Sequence, residues 1–381
     1  MRVGHGCAPL AVPDGTPMGG YAARQGTSTG VLEPLQVDCI TLAGLPLVVA
    51  EVLAIDESLA AAVRERVPGA WVCATHTHAG PEPAGLREEI AAAAGAAHAA
   101  VREQELVAHH RSGWLEGIGS PRNGGGAARV RVDVLSWTGE DGRLVGVLAV
   151  VPVHPTVLPA ASTLIGGDLA GAIRSALRDE LGGPWVVVAT GAAGDISTRR
   201  TRRAQTAQEC RRLGEEAARQ LATLLRAPAE LSWDADVVAP VRRRLTLPGR
   251  ATVPAELETL RADLAERFAR APDRTLETAL QGIDIAASRG SPEDVELVVS
   301  AARLGPLALF GIGAEPFHSL RDALPRPAVL LAYANGHAGY LPDAAAYDAT
   351  GYEVLASPLR ADAAATVVAA LIDLLPEPTE A

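Results

Sequence analysis

Aromatic side chains are scarce: 3 Phe, 5 Trp and 5 Tyr make up 3% of the 381 residues. That leaves little material for an apolar platform against a membrane lipid. Cysteine is equally thin. Cys7, Cys39, Cys73 and Cys210 are scattered and form no CxxC pair, which excludes a disulfide framework in a chain this long and fits a reduced, cytoplasmic setting. Positive charge is in deficit. A net charge of −11 and a pI near 5.4 exclude the basic footprint of a nucleic-acid partner. No run reaches the roughly 18 apolar residues of a membrane span, and the amino terminus lacks the apolar core of a signal peptide. Neither an internal repeat nor a long linker is visible.

What remains is an ordinary globular composition, 48% hydrophobic and 21% charged, long enough to bury a sizeable core. Short apolar, β-branched runs at 37–42 and 46–53 predict strands, and 56–66 has helical spacing. A strand at 70–75 leads to His76, and an Ala- and Glu-rich helix is predicted over 83–110. The segments 129–137 and 144–153 read as a hairpin. Then come a helix at 168–181, a strand at 184–190, a glycine-rich bend at 191–194 and a helix at 201–226. Further on, 254–270 is an amphipathic helix, 306–312 and 328–333 are strands, and 361–375 is a closing helix. Strand followed by helix throughout implies an α/β fold, a mixed sheet with flanking helices in one large catalytic domain over 1–381. The stretch 234–247 and the helical region after it, to about 300, are expected to form a small peripheral lobe.

Three places carry chemistry. Ala74-Thr75-His76-Thr77-His78-Ala79-Gly80-Pro81 puts His76 and His78 two apart, so in an extended segment both face one side. The carboxyl end of a strand is where α/β proteins tend to place their sites. An HxH pair also arises without function, one ring packed and the other solvated. His154 ends a near-continuous apolar run, where a buried imidazole needs a partner. Glu315 lies between a glycine-rich bend and Pro316, which suits a rigid ligand or a plain turn. Two histidines and a glutamate would make an open catalytic metal site, but spacing alone does not join them.

The motifs in sequence do. Gly15-Thr16-Pro17-Met18-Gly19-Gly20-Tyr21, Gly30-Val31-Leu32-Glu33-Pro34-Leu35, Thr75-His76-Thr77-His78, His154-Pro155-Thr156, Gly167-Asp168-Leu169-Ala170-Gly171, Gly194-Asp195-Ile196-Ser197 and Gly313-Ala314-Glu315-Pro316-Phe317 follow in order. Tyr340, Tyr347 and Tyr352-Glu353 then repeat a tyrosine spacing of seven and twelve. Over most of its length the chain resembles the amino-terminal catalytic domain of neutral, non-lysosomal ceramidases, which hydrolyse the amide of N-acylsphingosines. The resemblance implies a zinc site of His76, His154, Glu315 and Tyr340. It also implies His78, Arg122, Ser197 and Tyr352 as surrounding catalytic and substrate-contacting groups. Zinc would acidify the attacking water, His78 would carry the proton to the leaving amine, and Arg122 or Tyr352 would donate to the oxyanion. Ser197 is expected to orient substrate or water, and Asp195 to contact substrate or brace its loop.

Two departures redirect the substrate. The family's serine is followed by Pro-Asn, whereas Thr198-Arg199-Arg200-Thr201-Arg202-Arg203 stands here. These arginines start a solvated helix, or else Arg199 or Arg200 reaches the cleft and pairs with a carboxylate or phosphate, which ceramide lacks. The chain also ends 29 residues after Tyr352, so no carboxyl-terminal immunoglobulin-like domain is expected. The expected substrate is therefore a small soluble N-acyl or peptide-like amide, with an anionic group left open, and the composition leaves room for a homo-oligomer. The alternatives are a serine-dependent esterase or acyltransferase using Ser197, or an amide-forming enzyme on the same scaffold.

Overall fold

The computed structural model describes residues 1–123, 126–234 and 237–377. Besides three two-stranded ladders, its strands form three mixed sheets built on one common order. In the first, Arg2–Leu10, Leu35–Leu42, Leu45–Ala50 and Trp71–Ala74 lie side by side, antiparallel except for the last, parallel pair. The second repeats this with Val107–Glu116, Arg129–Thr138, Leu144–Val151 and Trp185–Thr190. The third does so with Val237–Pro248, Asp294–Leu304, Leu307–Ile312 and Ala328–Leu331. Each parallel pair is bridged by a helix, as a parallel crossover requires: Glu57–Arg66, Asp168–Glu180 and the short Ser319–Asp322. A βββαβ unit thus occurs three times. The sequence does not display it because the units share only a two-residue apolar alternation, which any half-buried strand has.

That alternation builds the layers. Ile40, Leu42, Leu47, Val49 and Trp71 of the first sheet meet Leu135, Trp137, Leu148 and Val187 of the second. Leu307, Leu309, Val329 and Leu331 of the third close the same central core. The residues between them point outward to helices. Val37, Cys39 and Val48 face Leu59, Val63, Ile90 and Ala94, while Val147, Ala149 and Val186 face Ile173, Leu177, Leu213 and Leu221. Phe310 and Ile312 face Val367 and Leu371 of Ala363–Leu374. One face of each sheet is therefore shared and the other is covered by helices.

Three expectations are corrected. The helix predicted over 83–110 is a 3-10 turn, Pro83–Leu86, and a helix Arg87–Ala99 that ends there. Beyond it Arg102–Glu105 pairs with Arg2–Leu10 as the outer strand of the first sheet, and Val107 opens the second sheet. Strand pairing available only in the folded chain overrides the local pattern. The helix predicted from 201 begins at Ala207, where the Thr206 side chain accepts from Glu209 N. Before it, Thr201 and Arg202 are bent onto the carbonyls of Ile118 and Thr156. The stretch 234–247, in which residues 235 and 236 lie outside the described residues, is from Val237 the outer strand of the third sheet. Only the helical hairpin Pro254–Arg270 and Arg274–Arg289 stands apart, with its own small apolar cluster around Leu264, Ala279, Ile283 and Leu355.

Candidate active site

The carboxyl ends of the three parallel pairs converge. Leu53 stands three residues past Ala50, His154 three past Val151 and Glu315 three past Ile312, so a backbone carbonyl, an imidazole and a carboxylate occupy equivalent points. On the partner strands His76 stands two residues past Ala74 and Tyr333 two past Leu331. Both adopt left-handed backbone, φ 63° and 54°, uncommon for such side chains and found where surrounding structure enforces it. Their rings stack, centroids 4.1 Å apart. Backbone bonds lock the ends together: Ala332 N donates to Thr190 O, Ala74 N to Tyr333 O, and Thr190 Oγ1 to Thr75 O.

The imidazole tautomers follow from their outer partners. Nδ1 of His76 lies 2.7 Å from the Leu53 carbonyl and Nδ1 of His154 lies 2.6 Å from that of Ala193. A carbonyl accepts only, so each Nδ1 carries the proton and each Nε2 presents a bare lone pair. Those two Nε2 atoms are 3.1 Å apart, and they stand 3.3 and 3.1 Å from Glu315 Oε2. The Nε2 of His78 is 3.3 Å from that of His76. Buried Glu315 Oε2 has no hydrogen-bond partner among the described residues. Lone pairs and a carboxylate pointed at one another repel unless a cation lies between them. His76, His78 and His154 together could hold a metal ion, and the donor set of neutral imidazoles and one carboxylate fits a divalent one.

Electrostatics point the same way. Burial first, then Arg122, keeps His154 down at about 4. Burial and the neighbouring His76 keep His78 well below its ordinary value. Both imidazoles are thus in the neutral state a metal ligand requires.

No family model matches the chain, and no curated protein sequence matches it. Among solved structures, the crystal structure of neutral ceramidase from Pseudomonas aeruginosa superposes on 100% of this chain and 76% of its own, with a TM-score of 0.74 and 18% identity. A ceramidase complexed with C2 gives the same figures. The fold is that of neutral ceramidase. At 18% identity the shared feature is the course of the backbone, and the chemistry is argued from this chain's own residues.

On this ceramidase fold the site opens into a cleft of about 630 Å³, whose lining includes His76, His78, Arg122, Ser197, Arg199, Glu315, Tyr340 and Tyr352. Arg122 donates to Glu353 Oε1 at 2.9 Å and to the Tyr340 hydroxyl at 3.3 Å. Asn123 binds the other oxygen of Glu353. Burial first, then Glu315, pushes Tyr352 up to about 12, so it keeps its proton at neutral pH. Ser197 Oγ accepts from Arg199 N at 3.3 Å; the ring nitrogens of His76 and His154 are engaged elsewhere, so neither ring serves as its base. Asp195 is not on the cleft lining. Its carboxylate accepts from His318 N and its carbonyl from Arg122 N, so it braces the loop that carries Arg122.

Several residues escaped the sequence reading. The sequence marks Tyr333 only as the end of a strand, and His337, with Nε2 3.6 Å from Glu315 Oε1, carries no local signal. Glu353 was visible as half of Tyr352-Glu353, but nothing in the sequence said that it holds Arg122. Gly20 has a packing role: at φ 99° any Cβ would sit 2.7 Å from His78 Nδ1.

Proposed function

We propose that the chain is a zinc-dependent amidohydrolase that cleaves a small soluble amide, adding water across the C–N bond to release a carboxylic acid and an amine. One observation carries the reading: the inward lone pairs of His76 and His154 with Glu315 Oε2, 3.1 to 3.3 Å apart and with no proton to share. When bound there, zinc would acidify a water and polarise the amide carbonyl. The ligands are His76, His154, Glu315 and Tyr340. Arg122, fixed by Glu353, and Tyr352, which retains its proton, donate to the oxygen that gains charge. His78 stands beside this point and carries the proton to the leaving amine, and Ser197 orients substrate. The cleft of about 630 Å³, lined in part by Ala22, Ala23, Pro159, Ala160 and Ala161, is of a size that suits a small-molecule substrate. No helix among the described residues is long and apolar enough to cross a membrane. With all four cysteines unpaired we place the reaction in the cytoplasm. The same groups would serve amide formation if the amine and acid were supplied in excess.

A second ligand set has an observation in its favour, since His78 Nε2 lies as close to His76 as Glu315 does. Elemental analysis decides both points. About one zinc per chain, lost in His154→Ala, held more weakly in Tyr340→Phe and kept in His78→Ala at reduced turnover, is the expected pattern. Loss of metal from His78→Ala would make His78 a ligand. A metal-free wild type that takes up no added zinc would end the metallohydrolase reading.

A further inference from the structure

Part of the cleft lining is cationic. Arg199, Arg202 and Arg274 line the cleft together with Arg122, and Glu315, already committed to the metal ligands, is the one carboxylate among the described lining residues. Arg122 has a buried partner in Glu353, but the other three have no such neutralisation. Arg202 donates to the Thr156 carbonyl and the Thr198 hydroxyl, both neutral. Arg274 shares its charge with Glu277 across one exposed helical turn. Arg199 is half-buried and forms no ion pair among the described residues; Glu353 and Asp273 reach it only through space. Burial, with Arg122, Arg274 and Arg202 close by, lowers its pKa to about 10. Gathering like charges in a half-buried wall is unfavourable unless an anion joins them.

The hairpin supplies part of this wall. Arg274, Thr278 and Gln281 of the helix Arg274–Arg289 face the cleft at the i, i+4, i+7 spacing of a single helical stripe. The helix is seated on Tyr352–Ala356: a Cβ on Gly282 would meet Leu355 Cβ at 2.9 Å and the Tyr352 carbonyl at 3.2 Å. The cationic wall is thus fixed to the element that carries Tyr352. A polar, cationic stripe is the wrong surface for an alkyl chain and the right one for a charged oxygen group.

We propose that Arg199, Arg202 and Arg274 form a binding site for an anionic group of the substrate, a carboxylate or a phosphate, so that the molecule cleaved is a small N-acylated acid. The anion site rests on the amide-hydrolase reading only for the identity of the bond cleaved.

The test uses zinc-loaded enzyme and a matched set: an N-acyl-β-alanine, its neutral carboxamide, an N-acylethanolamine and its O-phosphate ester. The anionic members should exceed their neutral counterparts by about 10- to 100-fold in kcat/KM. In Arg199→Gln and Arg274→Gln that gap should collapse, mainly through KM, with zinc content unchanged. The larger of the two gaps shows whether carboxylate or phosphate is bound. Calorimetric binding of acetate and of inorganic phosphate to wild type, lost in Arg199→Gln, is the second readout. If no amide is cleaved but this binding and its loss are seen, the amide reading fails and the anion site stands. If neutral amides are turned over as well as anionic ones, or the preference survives an Arg199→Gln/Arg274→Gln double variant, the anion site is overturned and the amide reading stands.

Discussion

His154 shows how much of the chemistry depends on one residue's surroundings. Its Nδ1 is tied to the Ala193 carbonyl and its ring is fully buried, so its pKa lies near 4 where an exposed imidazole has 6.5. The unfolded chain takes a proton here below pH 6.5, whereas the folded chain does not until about pH 4. Across that window the unfolded state binds more protons, and stability falls as pH falls. Metal binding obeys the same sign, since protons compete for Nε2. The loaded protein should keep its metal at pH 5.5 and lose it as pH drops towards 4. Metal analysis after desalting at each pH checks this, and release centred near 6.5 would contradict it.

At the scale of elements, the loop after Leu144–Val151 is held by a carboxylate from the next helix. Buried Asp168, itself at φ 48°, accepts from the amides of Val157, Leu158 and Leu169 at 2.6 to 2.9 Å. Asp168→Ala would strand three buried N–H groups, each worth about 1–3 kcal/mol when unpaired. A loss of roughly 2–4 kcal/mol in urea unfolding is expected after partial rescue by water, together with weaker zinc retention because His154 heads that loop. Unchanged stability would mean the loop holds its shape without Asp168. The elements themselves were largely legible. The helix predicted over 56–66 runs Glu57–Arg66 with Asp56 as its cap, and Pro254–Arg270 matches its predicted bounds. The segment 100–110 was not, because Ala, Glu and Val there suit a helix until Arg2–Leu10 offers an edge to pair with.

At the scale of the whole molecule, the proposed ligands tie the three sheets together, His76 from the first, His154 from the second and Glu315 from the third. Zinc bound to the folded form alone would stabilise it by about 4 kcal/mol when free metal exceeds Kd a thousandfold. Stripping with a chelator should lower the melting temperature, and zinc should restore it. A melting temperature indifferent to chelator and zinc would show that nothing binds between the sheets.

The sequence by itself determined many of the strands and helices, because these depend on alternation and neighbours within a few residues. It also held the ordered motifs from which a ceramidase-like course could be read. Only the tertiary structure decided which polar groups meet. His76, His154 and Glu315 are far apart along the chain, and they converge because each lies just past a strand of one unit and the three units close on a single apolar core. Likewise, the hairpin's Arg274 and Gln281 became cleft residues only once Gly282 let that helix settle against Leu355. Distance along the chain carries no information about such meetings, because packing of the sheets sets them.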